Sequence, residues 1–272
     1  MDLNTVTALH RPRTRDEIGP FRAGDAFLAG GTALFAAPDP ALSRLIDLPA
    51  LNWPPVTLTA DGLEIAATCT FAELEEASLP PRLSALAARC CGALYGSFKV
   101  RAAATIGGNL CTALAAAPMA AFAVALDAEL LIWRADGTAR TLPARNFILG
   151  PTSTRLEKGE LLRSILVPAC NMDVRWAFRR IALNDLGRSA ALLIGTQDGA
   201  GRFALTITAS TPRPVRLDFP ALPDAETLLD ALDAAVSPVG WYDDVHGDPL
   251  WRAHMTQLFA QQIRSELAGE AA

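Results

Sequence analysis

Residues 103–130 read AATIGGNLCTALAAAPMAAFAVALDAEL, and all but the last four belong to a stretch without a charged side chain that runs from Ala102 to Leu126. An uncharged stretch of this length is long enough to cross a bilayer. It contains Gly107-Gly108-Asn109 and Pro118, however, and a spanning helix broken there would leave backbone groups unsatisfied in lipid. The sequence therefore predicts a turn at the glycines and a buried helix over Met119 to Leu126, inside a globular protein.

The other glycine pair, Gly30-Gly31, comes first along the chain. It has the same context, because it follows an apolar run and precedes a small polar residue, Thr32. Glycine has no Cβ, so its N–H group can approach a ligand closely and its φ can be positive. Successive N–H groups in a turn form an anion-binding concavity. Two such turns can hold a diphosphate from two sides, although each pair is equally compatible with a plain tight turn. Neither pair belongs to a G-x-G-x-x-G or P-loop motif.

The composition is that of a globular protein of one large domain or two ordinary ones. Of the 272 residues, 51% are hydrophobic and 19% are charged, which excludes an intrinsically disordered chain. Lys and Arg number 24 against 29 Asp and Glu, which gives a net charge of −5. A mildly acidic chain argues against general nucleic-acid binding, which requires a basic face.

The cysteine spacing indicates free thiols rather than a metal site. There are five cysteines, none in a C-x-x-C pair, and three scattered histidines. Such spacing predicts neither zinc nor iron–sulfur ligation. The first 17 residues are charged and have no apolar segment, so a signal peptide is not expected. Free thiols and no signal peptide together predict a cytoplasmic protein.

The local patterns predict an α+β chain, since strands and helices mix without regular alternation. Val56–Thr59 and Leu63–Ala67 flank Asp61-Gly62 as a hairpin, and Thr70 with Glu73 forms a capping box that begins a helix. Further helices are predicted over 82–91, 225–235 and 251–267. Further strands are predicted over 129–133, 160–167, 176–183, 190–197 and 203–209, with a domain boundary at 168–173.

Several motifs resemble, in the same order along the chain, the FAD-carrying subunits of molybdenum hydroxylases. These are the medium subunits of carbon monoxide dehydrogenase-like enzymes and the central domain of xanthine dehydrogenase. Residues 103–130 are similar to the flavin-binding signature of that family, and residues 27–35, FLAGGTALF, to its first FAD-binding turn. Residues 147–168 and 241–267 are similar to the end of its FAD domain and to its C-terminal helix.

The resemblance implies a flavodehydrogenase fold of the vanillyl-alcohol oxidase type, in which FAD lies between two α+β subdomains. It implies an FAD-binding domain over residues 1–168, with subdomains of about 1–52 and 53–168. A C-terminal α/β domain over residues 172–272 would follow.

The resemblance also implies the FAD contacts, position by position. Tyr95 would lie beside the flavin, Leu162 would line the pocket, and Arg179 would bring a cation near the ring, which can stabilise an anionic reduced flavin. The first turn would contribute Leu28, Ala29, Gly30, Gly31, Thr32, Ala33 and Leu34. The second would contribute Thr105, Ile106, Gly107, Gly108 and Asn109.

Two departures from the family pattern bear on that site. The family places an acid that contacts FAD at the end of an S-P-x-x-D motif, where this chain has Pro118. Cofactor contacts there would have to be redistributed. Lys99-Val100-Arg101-Ala102 replaces the usual Gln-Ile-Arg-Asn, and the new charge of Lys99 faces either the electron-acceptor site or solvent.

The function implied is electron transfer inside a complex. Electrons would pass from [2Fe–2S] clusters to FAD on this chain and then to a soluble acceptor, NAD or dioxygen. The clusters and a molybdopterin would lie on two partner subunits, and no general acid or base would be required here. Two alternatives remain: a flavin-free binding or scaffolding module on the same fold, and a self-contained flavin oxidase.

Overall fold

Three β-sheets follow one another along the chain in the computed structural model, which describes residues 3–270. The first sheet is parallel and has the order β1-β3-β2. Its strands are β1 (Ala8–His10), β2 (Asp25–Leu28) and β3 (Arg44–Asp47). The short helix α1 (Thr32–Ala36) lies between β2 and β3, so the first glycine pair is at the carboxyl end of a parallel strand.

The second sheet is antiparallel and has the order β4-β5-β10-β6-β7. Its strands are β4 (Val56–Leu58), β5 (Gly62–Ala66), β6 (Glu129–Trp133), β7 (Ala139–Pro143) and β10 (Leu161–Pro168). A small hairpin of β8 (Ile148–Gly150) and β9 (Ser153–Thr154) precedes β10. The predicted hairpin around Asp61-Gly62 and the strand that ends at Pro168 are confirmed.

Five helices connect β5 to β6: α2 (Phe71–Glu76), α3 (Pro81–Gly92), α4 (Phe98–Ala103), α5 (Ile106–Thr112) and α6 (Pro118–Ala125). The capping box of Thr70 and Glu73 is present at the start of α2. All eight residues of α6 are buried, because the helix packs against α3, α5 and the third sheet at once. That environment explains the uncharged sequence, since a helix surrounded by protein is apolar on every face.

One prediction for this stretch is wrong. Gly107, Gly108 and Asn109 lie in the first turn of α5 rather than in a free turn, because Thr105 caps that helix and its hydroxyl oxygen accepts from the Gly108 N–H. Over residues 3–270, no helix combines the length and the apolarity needed to cross a bilayer.

The third sheet is antiparallel, in the order β11-β12-β13-β14. Its strands are β11 (Arg175–Ile181), β12 (Ala191–Gln197), β13 (Phe203–Thr208) and β14 (Val215–Phe219). The two helices α7 (Ala225–Val236) and α8 (Pro249–Ala268) follow. The predicted strands and helices of this region are confirmed. Because its strands are antiparallel and precede its helices, the region is α+β, which corrects the expectation of an α/β domain.

The third sheet separates two apolar clusters. Phe178, Leu192 and Ile194 belong to the core around α6, whereas Ala177 and Leu193 face α7 and α8. This is the alternation that a strand imposes. The core around α6 therefore continues from the second sheet into the third, and a domain division between 168 and 172 stays a prediction.

Candidate functional site

The first glycine segment, residues 28–34, contains backbone N–H groups that donate to no acceptor in the described part of the chain. Gly31 has a φ of 70°, which favours glycine, and it precedes the first residue of α1. Within residues 3–270, the N–H groups of Gly31, Thr32, Ala33 and Leu34 have no hydrogen-bond acceptor. Four successive N–H groups without an acceptor form a concavity suited to an anion.

The two glycine segments are brought together by the main chain of Gly30. A Cβ atom at Gly30 would lie 1.6 Å from the carbonyl oxygen of Ala103 and 2.6 Å from its carbonyl carbon. Ala103 ends α4, two residues before Thr105. A cavity of about 340 Å³ is lined by Gly30, Ala103 and Thr105, with Trp53 on its wall. The predicted proximity of the two segments is therefore present, and a glycine is required at the contact.

In the second glycine segment, residues 105–109, the N–H groups of residues 106–109 already donate hydrogen bonds within the protein. The bonds are Ile106 N–H to Cys69 O at 2.8 Å, Gly107 N–H to Ala67 O at 3.0 Å, Gly108 N–H to Thr105 Oγ1 at 3.0 Å and Asn109 N–H to Thr105 O at 2.9 Å. Gly107 is needed for packing, since a Cβ there would lie 2.4 Å from that of Ala67. The donors left for a ligand are the N–H group and the hydroxyl of Thr105 and the Asn109 side-chain amide, none of which donates within the described chain.

The start of α6 shows how the chain accommodates Pro118. Pro118 is the first helical residue, where the missing N–H costs nothing. The side-chain oxygen of Asn109 accepts from the N–H of Met119 at 3.0 Å and so caps the helix from outside.

Thr112, which was not among the predicted site residues, lies one turn beyond Gly108 on the same side of α5. Its hydroxyl donates to the Gly108 carbonyl at 2.7 Å, and the i, i+4 spacing was the available signal.

Tyr95 lies at a second cavity, which two arginines, Arg101 and Arg180, also line. Arg101 forms an ion pair with Glu75, so Arg180 is the one of the two without a carboxylate partner among the described residues. This cavity has a volume of about 600 Å³ and is lined by Tyr95, Arg101, Arg180 and Leu186, among others. Arg180 donates to Ser189 Oγ at 2.8 Å and to the Gly187 carbonyl oxygen. Burial lowers the pKa of Arg180.

Arg179 lies on the opposite face of β11 from that cavity. It donates to Gln262 Oε1 at 2.9 Å and forms an ion pair with Glu266 at 2.7 Å, and both partners belong to α8. Arg179 therefore does not line this cavity, and its place beside the flavin stays a prediction. Alternation along a strand places consecutive side chains on opposite faces, so Arg179 and Arg180 lie on different sides of the sheet.

Two further positions resolve differently. Leu162 is 1% exposed, pairs with Ile132 in the second sheet and belongs to the apolar core, outside both cavities. Lys99 is exposed on α4, and no carboxylate lies within ion-pair distance of it in the described part of the chain. This exposure is compatible with both orientations that the sequence left open.

Comparison with known proteins gives consistent results. The family model for the FAD binding domain in molybdopterin dehydrogenase matches residues 7–170. The chain is 33% identical to caffeine dehydrogenase subunit beta of Pseudomonas sp. (strain CBB1) over 141 residues, 45% of this chain and about half (48%) of that protein. It is 24% identical over 281 residues to the carbon monoxide dehydrogenase medium chain of Hydrogenophaga pseudoflava, 95% of this chain and 94% of that one. The structure of quinoline 2-oxidoreductase from Pseudomonas putida 86 superimposes with a TM-score of 0.79 at 20% identity, over 98% of both chains.

The chain belongs to the family of FAD-binding domains of molybdopterin dehydrogenases, since the family match covers more than half of it. It is an FAD-binding subunit of the molybdenum hydroxylase family and an oxidoreductase component, as the sequence motifs predicted. The α+β fold is also confirmed, because the structural likeness extends over almost the whole chain.

Proposed function

We propose that the FAD diphosphate binds at the first glycine segment and that the chain transfers electrons within a complex. The observation that carries this proposal is the row of four N–H groups at Gly31–Leu34 without acceptors, beside the junction of α4 and α5. A diphosphate is doubly charged and rich in acceptor oxygens, and hydrogen bonds to charged groups are stronger than neutral ones. The residues present therefore fit the cofactor of the family.

The second segment contributes side chains to this site. The Thr105 hydroxyl lines the same cavity as Gly30 and, like the Asn109 side-chain amide, has donor capacity left. These features favour an FAD-binding chain over a flavin-free module.

The cavity between Tyr95 and Arg180 is the proposed place of the flavin ring. Bound FAD would supply hydride or one-electron redox chemistry, and the protein would supply orientation and electrostatics. Tyr95, 63% exposed at the cavity wall, offers a ring face for packing, and Arg180 offers a fixed positive charge. Arg180 is held by Gly187 and Ser189 and has no carboxylate partner among the described residues, so its charge is not neutralised locally.

The names of two relatives support a place for this chain in a complex. The protein from Hydrogenophaga is a medium chain and the one from Pseudomonas is a beta subunit, so both function with other chains. We propose that a [2Fe–2S] subunit delivers electrons to FAD here, that a molybdopterin subunit oxidises the substrate, and that NAD or dioxygen accepts the electrons. The free thiols of the chain suit a reducing compartment, and we propose the cytoplasm.

Reconstitution with FAD tests the first part of this proposal. The purified chain is stripped of flavin and titrated with FAD, and bound FAD is measured from its visible absorption and quenched fluorescence. We expect one FAD per chain, and a chain that takes up none would support the flavin-free module instead. Purification of the complex from its native host, followed by metal analysis, tests the partners. Mixing the reduced complex with NAD or with dioxygen then identifies the acceptor from the faster return of flavin colour.

A further inference from the structure

Arg252 is the largest fully buried side chain in the described part of the chain, and electron transfer makes no use of it. It lies in the first turn of α8 and is 1% exposed. Its guanidinium donates to the Gly247 carbonyl at 3.0 Å, to the Ala209 carbonyl and to the Asp244 carboxylate, and it stacks on the ring of Tyr242. Burying a charge is costly unless it is paired and hydrogen-bonded, so these contacts require a precise arrangement of the segments they join.

One of those segments is a strained bend at the end of β13. Ala209 has a φ of 67°, a conformation that alanine rarely adopts. Its carbonyl accepts from Arg252, and the hydroxyl of Thr256 donates to Ser210 Oγ at 2.9 Å, so α8 holds the bend at two successive residues. The strain at Ala209 persists because these contacts over-determine its conformation.

The N–H group of Ala209 points away from α8 and bonds to the carbonyl oxygen of Ala115 at 2.9 Å. Ala115 is in the middle of the loop 113–117, which joins α5 to α6. The same loop is tied by Thr152 N–H to the Ala113 carbonyl at 2.9 Å, and the bond from Met119 N–H to Asn109 closes its end. The bend at Ala209 is thus one of three supports of the loop next to Asn109.

We propose that Arg252 is a positioning residue that sets the loop 113–117, and with it Asn109, through the bend at Ala209. The inference rests on the proposed function, because Asn109 is placed there at the FAD diphosphate. The loop also covers the positions just before the family's acid, which falls at Pro118, and here it offers only backbone groups and apolar side chains. The backbone position of the loop therefore matters more in this chain, and the C-terminal helix supplies part of it.

Arg252→Lys tests the proposal, because lysine keeps the charge but cannot reproduce the planar fork of three bonds. Thr256→Val is a milder variant that loosens the same bend. Leu232→Ala, in the core of α7, is the control: it destabilises the C-terminal region but has no link to the loop. We expect Arg252→Lys to weaken FAD binding about tenfold, Thr256→Val by less, and Leu232→Ala not at all, at a temperature where all three variants are folded.

Amide hydrogen exchange in the flavin-free chain provides a readout independent of FAD. Arg252→Lys should speed exchange at the Ala209 and Met119 amides, whereas Leu232→Ala should leave both protected. Unchanged exchange at Met119 in Arg252→Lys, or equal loss of FAD affinity in Leu232→Ala, overturns the positioning role. If the wild-type chain binds no FAD, the proposed function fails and the cofactor part of this inference fails with it. The exchange data then still decide whether Arg252 positions the loop.

Discussion

Gly30→Ala addresses the contact that joins the two glycine segments. The added Cβ would lie 1.6 Å from the carbonyl oxygen of Ala103, whereas an unstrained C···O contact is about 3.3 Å. The two main chains must then separate by about 1.7 Å, because backbone atoms cannot rotate away as a side chain does. Crowding of this kind costs about 1–3 kcal/mol of folding free energy. We expect a variant that still folds but whose first segment is displaced from Thr105.

The effect on FAD should exceed the effect on stability. A shift of that size breaks one or two hydrogen bonds to the diphosphate, worth together about 3 kcal/mol, which raises the Kd for FAD about a hundredfold. The assay is titration with FAD at low temperature, combined with urea unfolding of the flavin-free chain. Gly199→Ala is the matched control, since no atom lies within 4 Å of its added Cβ and its φ is not positive.

An unchanged Kd for FAD in a folded Gly30→Ala variant would refute the reasoning, because it would mean that the diphosphate does not depend on this contact. A variant that loses stability and FAD affinity in equal measure would show only general damage. The difference between the two losses is therefore the quantity to measure.

Three further predictions concern charge and thiol chemistry. Arg180→Ala should lower the flavin reduction potential by about 30 mV, equal to about 1.4 kcal/mol for two electrons, because a cation beside the reduced ring is lost. Arg179→Ala is the control and should leave the potential unchanged in the same spectroelectrochemical titration. The reverse result would restore Arg179 to the site. The hydrogen bond from Arg44 lowers the pKa of Asp25 to about 2, so the stabilisation it gives is complete above the ordinary value of 3.8 and is lost as the pH falls toward 2. Urea unfolding should show a loss of about 2 kcal/mol over that range in the wild-type chain and a flatter profile in Asp25→Asn, whereas parallel profiles would contradict this. Burial raises the pKa of Cys69, Cys91 and Cys111 to about 12 and holds that of Cys90 well above its usual range, while Cys170 is exposed. A thiol reagent at pH 8 should therefore label one cysteine rapidly and all five only after unfolding.

Short-range patterns predicted most of the secondary structure. The Asp61-Gly62 hairpin, the capping box at Thr70 and the strand ending at Pro168 are set by neighbouring residues, so they can be recognised in the sequence. The uncharged stretch around α6 was correctly predicted to be buried, because a helix enclosed by protein is apolar on every face whichever elements surround it. These features depend on interactions within a few positions along the chain.

The candidate site was predicted only in part. The two glycine segments were expected to lie together and do, but the sequence did not show that Gly107 packs on Ala67 or that the N–H groups of α5 are already bonded. The sequence also predicted Arg179 as the cation beside the flavin, whereas Arg180 is the one of the two that lines the cavity with Tyr95. Which face of a strand meets a cavity depends on the elements packed on either side, and α8 occupies one side of β11.

The sequence by itself determined the family, the α+β composition and the two glycine-rich segments, because each is encoded in residues close together along the chain. Only the tertiary structure decided which backbone donors are free, which of two adjacent arginines reaches the cavity, and that Arg252 supports the loop beside Asn109. Those properties come from contacts between residues up to 94 positions apart, as between Ala115 and Ala209, and such contacts exist only once the sheets and helices have packed.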